Sequence, residues 1–284
     1  ASVALEVRRG YSGGVWGAWT LLSPSEDDAR ALPASSAGRL YSSDLLYGQG
    51  DALQYRVTLR GPNQSPVLRH LRLVCIDSLD GPSAPRPVEP TGEPITRAEW
   101  GADPNLLHWP AEPATPLAFV LHHTNHAPAG VDPAACVRAL YYYHSVIREW
   151  GDLGYNYVVD GYGNVYQGRA GGPNTAGAHS GELSVLEPTA AQQDGTVALL
   201  ARLCTANTLT PTGTVMLLNR SLPVIMGHSD AAAVTCPGSA LSDRLPAMRM
   251  ATLLKMGYES PQITLQNPPA GATLRGVVEA RPSV

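Results

Sequence analysis

Lysine is almost missing from this 284-residue chain: Lys255 is the only one, and the other basic residues are arginines. The formal net charge is −4. Nucleic-acid binders draw affinity from Lys and Arg clustered on phosphates, so this balance excludes a general nucleic-acid binder. No apolar run reaches the ~18 residues of a membrane-spanning helix. Four cysteines, Cys75, Cys136, Cys204 and Cys236, are too few to scaffold a chain of this size. Cys136 and Cys204 fall in helix-like segments and could pair in an exported chain, although sequence alone does not fix connectivity. There is a single phenylalanine, while Ala, Gly and Pro are abundant, the usage of a GC-rich bacterial genome. No secretory leader is visible and the first residue is Ala1, so the chain is expected to be a processed product whose signal peptide has been removed.

What is present suffices for a packed core. Hydrophobic residues make up 44% and charged residues 15%, enough for two modest domains or one large one. Residues 1–80 read as β. Leu53, Tyr55, Val57 and Leu59 alternate with polar or small neighbours, and Leu71, Leu73 and Cys75 continue the theme with Val74 and Ile76 between them. Trp16 and Trp19 stand among Gly- and Ser-rich turns; they could stack on sugar rings, but core packing is the simpler reading. The expectation is a small β-sandwich domain. A linker over 81–93 follows, its prolines favouring extended, poorly packed chain. Residues 94–258 change to mixed α and β, and a tail over 259–284 ends in a strand-like run, Leu274 to Ala280.

Within 94–258, Leu117 to Leu121 is a short apolar run that ends at His122 and His123. Pro133 to Trp150 has helical spacing, with Asp132 as N-cap and Pro133 in the first position. Tyr155 to Val159 and Val165 to Gln167 flank a Gly-rich turn, as a hairpin does. Pro188 to Cys204 and Leu241 to Met256 predict two more helices, and Pro223 to Met226 predicts a short strand that delivers His228. Histidines at two strand ends and Cys236 shortly after the second offer imidazole and thiolate donors, which suit zinc. Spacing alone leaves open a bland alternative of packed or surface histidines and a buried cysteine.

Several motifs occur in order: Ile95–Thr–Arg–Ala–Glu–Trp–Gly101, Val120–Leu–His–His–Thr124, Tyr143–His–x–x–x–Arg–x–Trp150 and Gly154–Tyr–Asn–Tyr–Val–Val–Asp160. Gly163–Asn–Val–Tyr–Gln–Gly–Arg169, Gly177–Ala–His179, Gly227–His–Ser–Asp230 and Cys236–Pro–Gly238 follow. Together they make residues 94–258 resemble the zinc-dependent N-acetylmuramoyl-L-alanine amidases, which share a fold with peptidoglycan recognition proteins. The resemblance implies an α/β fold with a mixed central sheet flanked by helices, here preceded by the small all-β domain. It implies Zn²⁺ held by His122, His228 and Cys236, with Tyr155 as the catalytic tyrosine. His123 and His122 point to opposite faces if the strand alternation holds, so only one reaches the metal. His179, Arg169 and His123 are the expected substrate-binding residues, while His126 and His144 read as loop and helix-packing residues.

The implied activity is hydrolysis of the amide between N-acetylmuramic acid and L-alanine by a zinc-activated water, in a secreted or cell-envelope protein. The alternatives are a peptidoglycan-binding protein that does not cut and a structural subunit of an envelope assembly. The β domain could anchor the chain to the wall or to a cell-envelope protein partner. Two departures from the pattern stand out. Where the family usually has Thr or Lys two residues before the cysteine, this chain has Val234, with Thr235 one place on. Ser180 to Glu187 has no clear equivalent of the family's central strand, which makes Val215 to Leu218 a candidate to fill that place.

Overall fold

The first strand, β1 (Ser2–Tyr11), carries two kinds of face, and a computed structural model shows what each one meets. The structure describes residues 2–22, 43, 45–48, 50–61, 67–85, 89–124, 131–177, 188–217 and 219–258. The expected strand Leu274–Ala280, the segment Ser180–Glu187, His126 and His179 lie outside the described residues. β1 is the centre of a four-stranded antiparallel sheet: β2 (Val15–Trp16) and β3 (Thr20–Leu22) pair along one edge, and β4 (Ala52–Arg60) along the other. Its odd positions Val3, Leu5 and Val7 lie opposite Leu59, Val57 and Tyr55, so one face is apolar. Its even positions Glu6 and Arg8 lie opposite Arg56 and Gln54.

That polar face holds the two tryptophans. Arg8 sits 5.1 Å from the Trp16 ring and 4.7 Å from Trp19, and Arg56 lies 4.6 Å from Trp19. Arg56 also grips Glu6 through two hydrogen bonds of 2.6 and 2.7 Å, which hold the Glu6 carboxyl below the usual carboxylate range. Core packing of the tryptophans is therefore corrected to a cation–π ladder on this face, with Trp16 exposed and Trp19 half-buried. Among the described residues of 1–80 one four-stranded sheet is formed, and Leu71, Leu73 and Cys75 lie in chain without secondary structure. Alternation supplies a face but not a partner strand, and these residues find none among the described residues.

The proline-rich stretch is extended but not loose. Arg138 donates to the carbonyls of Ser78, Pro82 and Trp100 at 2.8 to 2.9 Å. The Ala84 N–H donates to Asp132, and Asn164 Nδ2 donates to the Pro85 carbonyl. Residues 78–85 thus lie against the first helix, α1 (Pro133–Tyr142), which Asp132 caps as expected. The helix ends sooner than its spacing predicts: a π-turn, Tyr143–Ile147, replaces its last turns.

After β5 (Pro94–Ile95), the strands that build the mixed sheet fall into two hydrogen-bonded parts. β6 (Phe119–Leu121) runs parallel to β11 (Ile225–Gly227). β7 (Tyr157–Val159) and β8 (Val165–Gln167) form the expected hairpin, with β5 parallel to β8. Both parts feed one core, in which Leu121 and Ile225 meet Tyr157, Val159 and Val165. Helix α2 (Ala190–Asn207) packs on it, capped by the Thr189 hydroxyl at the Gln192 N–H. A Cβ on Gly195 of α2 would come within 2.3 Å of the Gly163 carbonyl oxygen, so helix and hairpin approach through glycine alone.

Among the described residues no strand joins β6 to β7, and a cavity of about 190 Å³ opens between them over Leu199, Leu200 and Leu203. Of the candidate run Val215 to Leu218, Leu218 lies outside the described residues and the rest does not fill it: β9 (Thr214–Leu217) pairs instead with β10 (Arg220–Pro223) as a separate hairpin. The final predicted helix is two, α4 (Ser239–Ser242) and α5 (Leu245–Lys255), after a short α3 (His228–Ala231).

Cys136 and Cys204 are buried and free, in separate clusters, so the pairing they could have made is not formed. Burial pushes their thiols from 9.0 up to about 12 and about 11. Unfolded thiols ionise near pH ~8.5, so the stability from keeping these two neutral is full below that pH and lost as pH rises towards 11 and 12. The urea midpoint is expected to hold level from pH 7 to about 8.5 and then fall, less steeply in the Cys136→Ala variant. A midpoint with the same alkaline slope in both chains would contradict this.

Candidate metal centre and active site

The parallel register of β6 and β11 sets Gly227 opposite Leu121. The next residues, His122 and His228, therefore leave the same end of the strand pair side by side, with ring centroids 4.4 Å apart. The chain then turns through α3. The Gly227 N–H donates to Asp230 Oδ2 at 2.9 Å, and the Ser229 N–H donates to the Cys236 carbonyl at 2.7 Å, which returns Cys236 to the histidines. One ligand atom from each of His122, His228 and Cys236 lies within 4.8 Å of the others. His122 and Cys236 are buried and His228 is half-buried, so the group is open on one side.

This donor set fits zinc. Zinc bonds of ~2.0–2.3 Å to nitrogen and sulfur put tetrahedral ligands about 3.5 Å apart, within reach of side chains already this close. The His123 N–H donates to Cys236 Sγ at 3.3 Å, which favours the thiolate that a metal requires. His123 itself is half-buried and outside the ligand group, as strand alternation predicts. Val234 is half-buried and Thr235 is exposed.

Tyr155 is buried with its ring centroid 5.9 Å from that of His122. Its backbone is pinned: the Arg169 N–H donates to the Tyr155 carbonyl at 2.7 Å, and the Gly168 N–H donates to Asn156 at 2.8 Å. A Cβ on Gly168 would stand 2.1 Å from the Tyr155 carbonyl oxygen, so the Gly of the Gln–Gly–Arg motif permits this approach.

Arg169 does not line a groove, contrary to expectation. It is fully buried and donates to Asp152 Oδ2 at 3.1 Å and to the carbonyls of Ala176, Trp109 and Pro110 at 2.7 to 3.2 Å. Its guanidinium also lies 3.5 Å from the centroid of the Trp109 ring. Burial lowers its pKa and Asp152 acts against that shift. Position in a motif fixes nearness to the site, not the face presented, and here the side chain turns inward. Arg97 completes the cluster: it donates to Asp152 Oδ1 at 2.9 Å and to the Gly168 carbonyl. Neither Asp152 nor Arg97 was singled out from sequence, although both stand in or beside quoted motifs.

Residues 112–239 match the family model described as N-acetylmuramoyl-L-alanine amidase. Over 158 residues the chain is 31% identical to a mouse N-acetylmuramoyl-L-alanine amidase, covering 52% of this chain and 29% of that protein. Over 91 residues it is 33% identical to peptidoglycan-recognition protein SC1a/b of Drosophila simulans, covering 31% of this chain and 47% of that one. The crystal structure of Drosophila peptidoglycan recognition protein SD superimposes with a TM-score of 0.44 and 25% identity, over 53% of this chain and 91% of that chain. Residues 112–239 are thus similar to the N-acetylmuramoyl-L-alanine amidase family, and the chain spans under a third of the mouse relative's length and under half of the fly relative's. No helix among the described residues is long and apolar enough to cross a membrane.

Proposed function

We propose that the chain is a zinc-dependent N-acetylmuramoyl-L-alanine amidase acting on peptidoglycan outside the cytoplasm. The observation that carries this reading is the convergence of His122, His228 and Cys236 within 4.8 Å, beside the ring of Tyr155. Zinc held by those three residues would bring the pKa of a bound water to about 7 and polarise an amide carbonyl. The residues of the chain do the rest. Tyr155 donates its phenolic proton in a hydrogen bond to the lactyl carbonyl oxygen as negative charge builds on it. The Tyr155 backbone is pinned from Arg169 and Gly168, which limits the reorganisation needed to present its hydroxyl. Attack of the water oxygen on the lactyl carbonyl forms a C–O bond, the C–N bond breaks as a proton from that water passes to the departing nitrogen, and a carboxylate on the lactyl group and a free amine on L-alanine result.

The test is incubation of metal-loaded protein with purified peptidoglycan, with and without a chelator, read by mass spectrometry. The expected result is chelator-sensitive release of stem peptides with a free L-alanine amine. Tyr155→Phe is expected to lower kcat by about 10²-fold or more with KM nearly unchanged, the cost of one oxyanion donor. Binding without cleavage by metal-loaded protein would overturn the enzymatic reading and leave a peptidoglycan-binding protein.

A further inference from the structure

The π-turn after α1 aims one side chain at the back of the active-site tyrosine. Wide turns of this kind recur at functional sites because the added residue redirects a side chain inward. Here that side chain is His144, buried at 3% exposure within Tyr143–Ile147. Its ring meets the Tyr155 ring edge-on with centroids 5.1 Å apart, and Trp150 lies 4.6 Å away on a tilted plane. Its Nδ1 accepts the N–H of Gly154, the residue before Tyr155, at 3.3 Å. The Trp150 N–H in turn donates to the His144 carbonyl at 3.0 Å, which closes the loop around the imidazole. The rings run in order from Trp150 through His144 and Tyr155 to His122 and His228. Helix packing alone would be served by an apolar side chain, whereas this position bonds one peptide and backs one ring.

We infer that His144 is the positioning residue for Tyr155, holding the Gly154 peptide and the face of the phenol ring so that the hydroxyl meets the substrate beside the metal ligands. This rests on the catalytic reading of Tyr155 given above. His144→Phe keeps a ring but loses the acceptor, and His144→Asn keeps an acceptor near the Nδ1 position. The first readout needs no activity: 3-fluorotyrosine placed only at position 155 of the full chain, followed by ¹⁹F NMR. One sharp resonance is expected for the native chain, moved or broadened in His144→Phe and largely restored in His144→Asn.

The second readout is a double-mutant cycle on kcat. His144→Phe is expected to lower kcat about tenfold with KM held within about twofold. In a Tyr155→Phe background the same change is expected to cost nothing further. A purely structural role would lower melting temperature and reduce kcat equally in both backgrounds, and that result overturns the proposal. An unmoved fluorine resonance overturns it as well. If the native chain cleaves nothing, the amidase reading falls by itself and the fluorine spectra alone decide the role of His144. Should His144→Phe fail to fold, the comparison is made with His144→Asn, whose native-like resonance supports the role and whose broadened one does not.

Discussion

Replacing Cys236 with serine is expected to strip the chain of bound zinc under mild dialysis and to cut turnover about 10³-fold or more, roughly 4 kcal/mol of lost transition-state stabilisation. Serine is close to cysteine in size and Cys236 is buried, so the fold loses little packing. What it loses is a charge. The thiolate is the only anionic donor of the three, and serine stays neutral at the pH where a thiol yields its proton to zinc. The His123 N–H that meets Sγ at 3.3 Å would face a weaker acceptor. Metal analysis should show about one zinc per native chain and well under a tenth of that in Cys236→Ser. Unchanged metal content together with unchanged turnover would remove Cys236 from the site. Retained peptidoglycan binding without turnover is the expected companion result, since the buried sulfur is not a groove residue.

The second large effect is on stability. Asp152→Ala is expected to cost about 3–5 kcal/mol. Asp152 has no exposed side-chain surface, and its two oxygens accept from Arg97, Arg169 and the backbone N–H groups of Leu153 and Ala170. Removing the carboxylate leaves the wholly buried Arg169 guanidinium without its counter-charge, still held by three carbonyls that cannot neutralise it. Two backbone donors lose their acceptor at the same time, each adding to the cost. A loss of that size is a large share of the ~5–15 kcal/mol by which ordinary domains are stable. Asp152→Asn keeps an acceptor but not the charge and should fall between. Urea unfolding measures all three chains; a midpoint for Asp152→Ala within experimental error of the native one would show that the cluster is not a keystone.

Two apolar runs that each end in a histidine, with a cysteine following, made His122, His228 and Cys236 candidates, and the motif resemblance singled them out. The sequence did not show that β6 and β11 pair in a register that brings these endings level, because pairing is decided between segments about a hundred residues apart. Arg169 was misread for a related reason. A charged residue in a motif next to a site looks like a contact to ligand, and only the burial of Asp152 beneath it reveals an inward partner. At Leu71, Leu73 and Cys75 the two-residue alternation is real, but a strand also needs an edge to join. Trp16 and Trp19 show the converse, apolar mass placed outward because arginines on neighbouring strands cover their faces. The shortened first helix was hidden as well, since a π-turn preserves the hydrophobic spacing closely enough to read as more helix.

The level endings of β6 and β11 make metal uptake a report on strand registry. A slip of one residue between them would present His123 or Ser229 where a ligand belongs, since neighbouring residues on a strand face opposite ways. A chain that captures the ion has, by that fact, joined the two halves of the sequence correctly. Ion capture would then act as a late quality check on folding, rewarding the native alignment over its nearest misaligned competitors.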